Sequence, residues 1–370
     1  MKYYLISGEA SGDLHGSNLI REIRKLDPAA RIRCWGGDMM EAAGGELVMH
    51  YRERAFMGFL EVAMNIRKII KNLRYCKEDL DAFKPDAVIF IDYPGFNIPV
   101  AQFAHKKGFK TIYYISPQVW AWKENRVKTL REVVDKMLVI LPFEKAFYRK
   151  WNYAVDYVGH PLVQVVDEYK TANPQLVKPS EIHIALLPGS RMQEINIKLP
   201  IMLAVTRDFP ACRFSVAQAP SLDESFYAPF IQGYPNVQLV RGKTYELLMQ
   251  SHAAMVTSGT ATLETALFGV PEVVCYKGSR VSYEIAKRLI KVPYISLVNL
   301  ILEKPAVKEL IQDDLTPKNI KTELEKLLYN QEYREEILNN YKNLWDILGK
   351  GGAASAKAAW LITDYAASGS

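Results

Sequence analysis

Short apolar runs rich in β-branched and aromatic residues recur along the first half of the chain, at Tyr3–Ser7, Arg31–Trp35, Ala87–Ile91, Thr111–Ile115 and Lys136–Ile140. Amphipathic stretches at helical spacing separate most of them, which is the βαβ rhythm of a parallel sheet. A second series follows at Ile182–Leu187, Arg213–Ala217, Val237–Val240, Ala253–Thr257 and Glu272–Tyr276. Between the two lies a polar segment, Asp167–Ser180, with Pro174 and Pro179, which reads as an interdomain linker. From about Ala306 the pattern is nearly all helical, and no repeat at a solenoid period is present. The expected fold class is therefore α/β, with two Rossmann-like parallel-sheet domains over residues 1–166 and from residue 181 onward. Ligands of open parallel sheets bind beyond the carboxyl ends of the strands, in a cleft that tandem domains would share, so function is expected on strand exits.

Composition agrees with this division. A single core rarely grows past roughly 250–300 residues, and this chain has 370, of which 49% are hydrophobic. Residues 1–166 hold 25 Lys and Arg against 19 Asp and Glu, whereas residues 167–370 hold 22 of each, so the whole net charge of +6 sits in the first half. An acidic partner for that half is implied: a phosphorylated substrate, an anionic bilayer or nucleic acid. Cys34, Cys76, Cys212 and Cys275 form no CxxC pair and the six His show no ligand spacing, so neither a disulfide framework nor a metal site is expected. No apolar run has the length of a signal peptide or a membrane span, which leads to the expectation of a soluble, cytoplasmic protein able to lie on a membrane.

Four strand exits carry residues suited to chemistry. The first, Gly8-Glu9-Ala10-Ser11-Gly12-Asp13, runs into a helix at Ser17–Leu26; small residues let a ligand reach amides there, while Asp13 could equally be a helix cap. The second places Asp92 at the tip of an apolar strand, before Tyr93-Pro94-Gly95-Phe96-Asn97, where a carboxylate could take a proton from a hydroxyl or could simply close a turn. Close by in sequence, Ser116-Pro117-Gln118-Val119-Trp120-Ala121-Trp122 sets two indoles on a loop, to line an acyl or sugar pocket or to plug the cleft floor. The third, Leu187-Pro188-Gly189-Ser190-Arg191 with Glu194, suits a diphosphate because the planar guanidinium makes bidentate charge-assisted bonds. In the fourth, Ser258-Gly259-Thr260 opens a helix that carries Glu264 one turn in, fit to hold a phosphate and a ribose diol respectively.

One further stretch is amphipathic in two senses. Phe59, Val62, Ala63, Ile66, Ile69, Ile70 and Leu73 form the expected core stripe of a long helix. Met57, Leu60 and Met64 fall opposite, among Arg67, Lys68, Lys71 and Arg74, as on a helix lying at an anionic leaflet or on a plain solvated basic face.

Taken in order, Ser7–Asp13, Ser116–Trp122, Leu141-Pro142-Phe143-Glu144, Gly159-His160-Pro161, Pro188–Arg191 with Glu194, and Thr257–Glu264 resemble the lipid-A-disaccharide synthase family from residue 3 to about 315. The resemblance implies an inverting GT-B glycosyltransferase. It would join UDP-2,3-diacylglucosamine to 2,3-diacylglucosamine 1-phosphate (lipid X), releasing UDP and forming the β-1,6 disaccharide 1-phosphate of lipid A biosynthesis. By motif match it gives Asp92 the base role, Arg191 with Gly189 and Ser190 the diphosphate, Ser258, Gly259 and Thr260 the phosphates, Glu264 the ribose, and Glu9 a place on the acceptor side. Asn299 and Gln312 would border the donor pocket; Ser11, Asp13, Trp120 and Trp122 would belong to the acceptor or acyl region. Many relatives carry a second acid three residues after the strand-tip aspartate, where this chain has Gly95. The resemblance also implies a donor-binding domain over 181–338, C-terminal helices over 339–370 that return to the first domain, peripheral attachment to the inner membrane, and in some members a dimer. No cofactor is expected; the chain has no DxD-like cluster, in keeping with a reaction in which Arg191 and amide dipoles supply the counter-charge.

A UDP-sugar epimerase of the same fold is the alternative, and would need its base on the donor sugar. Nucleic-acid binding is disfavoured because the cations are not interleaved with aromatics in any RNA-reading motif.

Overall fold

Continuous apolar runs such as Ala87–Ile91 and Ala253–Thr257 suit strands covered on both faces, and both are buried along their whole length. The computed structural model describes residues 1–54, 66–278, 283 and 292–368. It divides into two units, one formed by Met1–Pro161 with Gly349–Ser370, the other by Leu162–Leu348.

In the first unit, β1 (Lys2–Ile6), β2 (Arg31–Gly36), β3 (Glu46–His50), β4 (Ala87–Ile91), β5 (Lys110–Tyr114), β6 (Lys136–Val139) and β7 (Asp156–Tyr157) form one sheet in the order β3-β2-β1-β4-β5-β6-β7. All pairings are parallel, so each strand returns through a crossover on a face of the sheet. In the second unit, β8 (His183–Leu187), β9 (Arg213–Gln218), β10 (Val237–Arg241), β11 (Ala253–Thr257), β12 (Glu272–Tyr276) and β13 (Lys308–Ile311) run parallel in the order β10-β9-β8-β11-β12-β13. Strand order reverses between β1 and β4 in one sheet and between β8 and β11 in the other. These are the two topological switch points, and the loops leaving their strands diverge to open a crevice.

The ten strands expected from the pattern are present, and β3, β7 and β13 are additional. β13 lies where only helices were expected, because this four-residue edge strand carries two polar residues before two apolar ones and so shows no strand periodicity. Nor does the expected linker fall between units: Asp167–Ala172 belongs to helix Pro161–Ala172, and the chain passes from one unit to the other at Pro161. The return passage comes at Gly349, after helix Gln331–Gly349, not at 339. Helix Ala354–Ala367 then packs on helix Ala10–Leu26 within the first unit, and Lys110 Nζ donates to the Tyr365 and Ala366 carbonyls. The Gly159-His160-Pro161 motif has a steric explanation here. A Cβ on Gly351 would stand 2.1 Å from Gly159 Cα, so two strands of backbone cross at glycines.

The long basic helix is described over Ile66–Phe83. Met57, Leu60 and Met64 lie outside the described residues, as do Phe59, Val62 and Ala63. Asn72, Cys76, Leu80 and Phe83 are its buried positions. The expected core stripe needs correction, since Ile66 and Ile70 are 47% and 57% exposed. At 3.6 residues per turn Ile69 points within about 20° of Cys76, whereas Ile66 and Ile70 stand roughly 80° and 120° away. They share the solvent side with exposed Arg67, Lys68, Lys71 and Arg74.

Candidate functional site

At the switch point of the first unit, β1 and β4 pair through Leu5 with Ile89 and Ile6 with Phe90, so Glu9 and Asp92 leave neighbouring strands. Asp92 and Tyr93 both adopt left-handed backbone, φ 44° and 51°, a costly conformation for residues with a Cβ. The surroundings hold it there. The Asp92 amide donates to the Ile115 carbonyl at 3.1 Å, and its own carbonyl accepts from Asn97 Nδ2 at 2.7 Å and the Tyr113 hydroxyl at 2.5 Å. The Tyr93 ring lies so close to Gly8 that a Cβ there would sit 2.2 Å from it, which locks the first loop against the second. Burial first, and the Glu9 carboxylate second, push the Asp92 carboxyl up to about 7 against the pull of the Tyr93 backbone N–H. Glu9 occupies the N-cap position of helix Ala10–Leu26, with Ser11 half-buried beyond it. A carboxyl of that proton affinity at a strand tip is matched to general-base work near neutral pH.

Two residues expected on the acceptor side have other duties. Both Asp13 oxygens are engaged, one accepting from the Gly37 and Met40 amides at 2.8 and 3.0 Å and the other from Met39 at 3.1 Å, so Asp13 caps the short helix Asp38–Ala42. Trp120 is core: it is 6% exposed, stacks edge-on against Phe143 and donates to Glu144. Glu144 also accepts from the Ile140 and Leu141 amides, so the Leu-Pro-Phe-Glu motif ties the exit of β6 to Trp120 on the loop after β5; burial raises its carboxyl to about 7. Trp122, by contrast, is 38% exposed.

In the second unit, β8 and β11 pair at the switch point, and their exits bring Gly189–Arg191 and Ser258–Glu264 to one end of the sheet. Arg191 is the N-cap residue of helix Met192–Thr206 and pairs with Glu194 Oε1 at 3.1 Å. Glu194 Oε2 lies 3.6 Å from Lys198, which is 2% exposed and donates to the Thr257 hydroxyl at the end of β11. A buried ammonium thus ties the Arg191 loop to the Ser258 loop. Gly189 is required twice over: its φ is 129°, and a Cβ would stand 2.5 Å from Glu194 Oε2. Gly189→Ala is therefore expected to destabilise the fold by about 1–3 kcal/mol, the usual cost of forcing a residue with a Cβ into such backbone. Thermal unfolding would check this, and an unaltered melting temperature would show that the loop accommodates the displaced carboxylate.

Glu264, on helix Thr260–Leu267, accepts from the Tyr245 hydroxyl at 3.0 Å, and burial raises its carboxyl to about 7. Ser258 donates to the Ile295 carbonyl at 2.8 Å, and Gly259 adopts φ 143° just before Thr260. Gln312 takes left-handed backbone, φ 53°, at the end of β13, and its buried Nε2 has no hydrogen-bond partner among the described residues. Such a donor is what a ligand would complete. Asn299 does not share that role. Its amide donates to the Val307 carbonyl and Glu309 and accepts from the Val307 amide, each at 2.9 Å, so it pins the start of β13. Asn97, Tyr113, Tyr245 and Lys198 support these sites without having been singled out in the sequence. Only Asn97, in the Asp-Tyr-Pro-Gly-Phe-Asn segment, carried a local signal.

Comparison with known proteins decides among the chemistries this geometry allows. The family profile described as lipid-A-disaccharide synthetase matches residues 3–359. This chain belongs to that family. It is 40% identical to the lipid-A-disaccharide synthase of Syntrophus aciditrophicus (strain SB), with 97% of this chain and 96% of that protein covered. The enzyme of the same name from Geobacter metallireducens is 39% identical at the same coverage. As a member of the lipid-A-disaccharide synthetase family the chain is a glycosyltransferase of lipid A biosynthesis with GT-B-type sheets. Among solved structures, UDP-GlcNAc 2-epimerase from Neisseria meningitidis bound to UDP-GlcNAc has a TM-score of 0.67 at 15% identity, covering 99% of this chain and all of that one. The calicheamicin glycosyltransferase CalG4 has a TM-score of 0.62 at 18% identity, with 98% and 97% covered. At that identity these two show the fold alone, while the sequence relatives favour the synthase over the epimerase. No helix of the described residues is long and apolar enough to cross a membrane.

Proposed function

We propose that this member of the family joins UDP-2,3-diacylglucosamine to 2,3-diacylglucosamine 1-phosphate with inversion at the anomeric carbon. The observation that carries the reading is the family match over residues 3–359, together with the Asp92 carboxyl held on left-handed backbone at the switch point of the first unit. The acceptor 6-hydroxyl oxygen attacks C1 of the donor sugar while Asp92 takes its proton. The bond from C1 to the diphosphate oxygen breaks, and UDP leaves with the electron pair. Burial, and after it the Glu9 carboxylate, sustain the proton affinity of Asp92, so that the Asp92 carboxylate is present but basic at neutral pH. In the second unit Arg191, Ser190 and the amides at Ser258–Thr260 meet the diphosphate, Glu264 and Gln312 the rest of the nucleotide. Exposed Ile66 and Ile70 among Arg67, Lys68, Lys71 and Arg74 support peripheral attachment to an anionic leaflet.

The reading is tested by supplying UDP-diacylglucosamine alone and then with the monosaccharide 1-phosphate. A disaccharide lipid and stoichiometric UDP are expected only in the second mixture. An epimerised donor in the first would transfer the site to the epimerase chemistry.

A further inference from the structure

The loop after β5 ends in Trp122, Lys123 and Arg126. Trp122 presents its ring to solvent, with Lys123 Nζ 4.3 Å and Arg126 Cζ 5.8 Å from the ring centroid. A tight turn holds the two cations on the same indole, the Arg126 amide donating to the Lys123 carbonyl at 3.0 Å. Lys123 adopts left-handed backbone, φ 58°, to make that turn. Among the described residues neither cation forms an ion pair. Desolvation first and the Arg126 charge second lower the Lys123 pKa, so both disfavour its proton. Two like charges gathered on one aromatic face, with strained backbone, form an arrangement that a dianion would relieve.

The loop that carries the group leaves the strand next to that of the proposed base. β5 pairs with β4, and Ile115, the first residue beyond β5, accepts the Asp92 amide. The Arg126 charge opposes the upward shift of the Tyr113 hydroxyl, which burial and Asp92 cause, and that hydroxyl donates to the Asp92 carbonyl.

We propose that Lys123 and Arg126, held on the Trp122 ring, bind the phosphate monoester of the acceptor sugar. The inference rests on the reading that the acceptor is a sugar 1-phosphate whose hydroxyl meets Asp92. A phosphate there anchors the far end of the acceptor while the 6-hydroxyl reaches the carboxylate. The guanidinium fork and the ammonium supply charge-assisted bonds that a neutral sugar cannot use.

The test compares two acceptors, diacylglucosamine 1-phosphate and the same lipid with a free anomeric hydroxyl, each in neutral detergent micelles and in anionic vesicles. For the parent enzyme the ratio of kcat/KM between them is expected to favour the phosphate. In a Lys123→Gln, Arg126→Gln variant that ratio should fall by about 10²-fold, as two bonds to a charged group imply, with the donor KM unaltered. Lys123→Arg should restore most of it in the single-site background, which separates charge from misfolding. Equal loss on both acceptors would overturn the assignment. So would a loss that appears only on anionic vesicles and equally for both acceptors, because the cations would then be reading lipid headgroups. If the parent enzyme makes no disaccharide from either acceptor, the underlying reading fails before the phosphate is in question.

Discussion

Asp92→Asn is expected to lower kcat by about 10²–10⁴, the usual worth of a positioned base, while UDP-sugar affinity stays at the parent value. The amide keeps the shape of the carboxylate and the backbone bonds of the strand tip, which the Asp92 carbonyl and amide make. It cannot take the hydroxyl proton. The sign of the pH dependence follows from the raised carboxyl. Below about 7 Asp92 is protonated and cannot act as a base; above it the carboxylate is present, so parent kcat should rise through this range and level off. In the variant that limb should disappear. Single-turnover kinetics across pH would show it, and near-parental turnover would remove Asp92 from the role. Gly95 offers a second arm, because a Cβ there meets nothing within 4 Å. If adding Gly95→Asp to Asp92→Asn restores more than about tenfold of the rate, some 1.4 kcal/mol, the base position belongs three residues further on.

How much of this was legible follows from where each residue finds its partners. Buried parallel strands declare themselves, because a strand covered on both faces must be apolar throughout, as Ala87–Ile91 is. Edge strands do so less regularly: β10 was expected from its apolar run, but β3 is half-exposed along most of its length and β7 is two residues long. The strand exits were legible as places for function because polar or strained residues there follow an apolar run with no local reason. Roles within them were less so. Asp13, open in the sequence between ligand and cap, and Asn299, placed beside the donor pocket by resemblance, hold backbone and side chains from Gly37–Met40 and from Val307 and Glu309, outside any local window. Trp120 and Trp122 are two residues apart, yet one is core and the other faces water, a difference set by Glu144 and Phe143 from another turn of the chain. Lys198 is the converse case. In sequence it is an unremarked lysine on an apolar helix, and only packing reveals it beneath the Arg191 and Thr257 loops.

Arg191→Met is expected to lower kcat/KM by about 10²–10³, the cost of removing a donor aimed at developing negative charge. As UDP departs, the bridging oxygen gains charge, so an interaction with the diphosphate strengthens along the reaction and the loss should fall on kcat more than on donor KM. Stability should change little: the guanidinium is 40% exposed, and its pair with Glu194 is the kind of surface contact worth at most about 1 kcal/mol. Arg191→Lys separates charge from geometry. It keeps the cation but loses the planar fork, so a rate between the parent and the Met variant is expected. Glu194→Gln supplies the counterpart, because freeing the guanidinium from its carboxylate should loosen its orientation and raise donor KM, while Lys198 beneath it keeps its bond to Thr257. Calorimetric titration of UDP into each variant completes the comparison. If the Met variant binds UDP and turns over as the parent does, the guanidinium does not meet the diphosphate, and the counter-charge for the leaving group must come from the amides at Ser258–Thr260 alone.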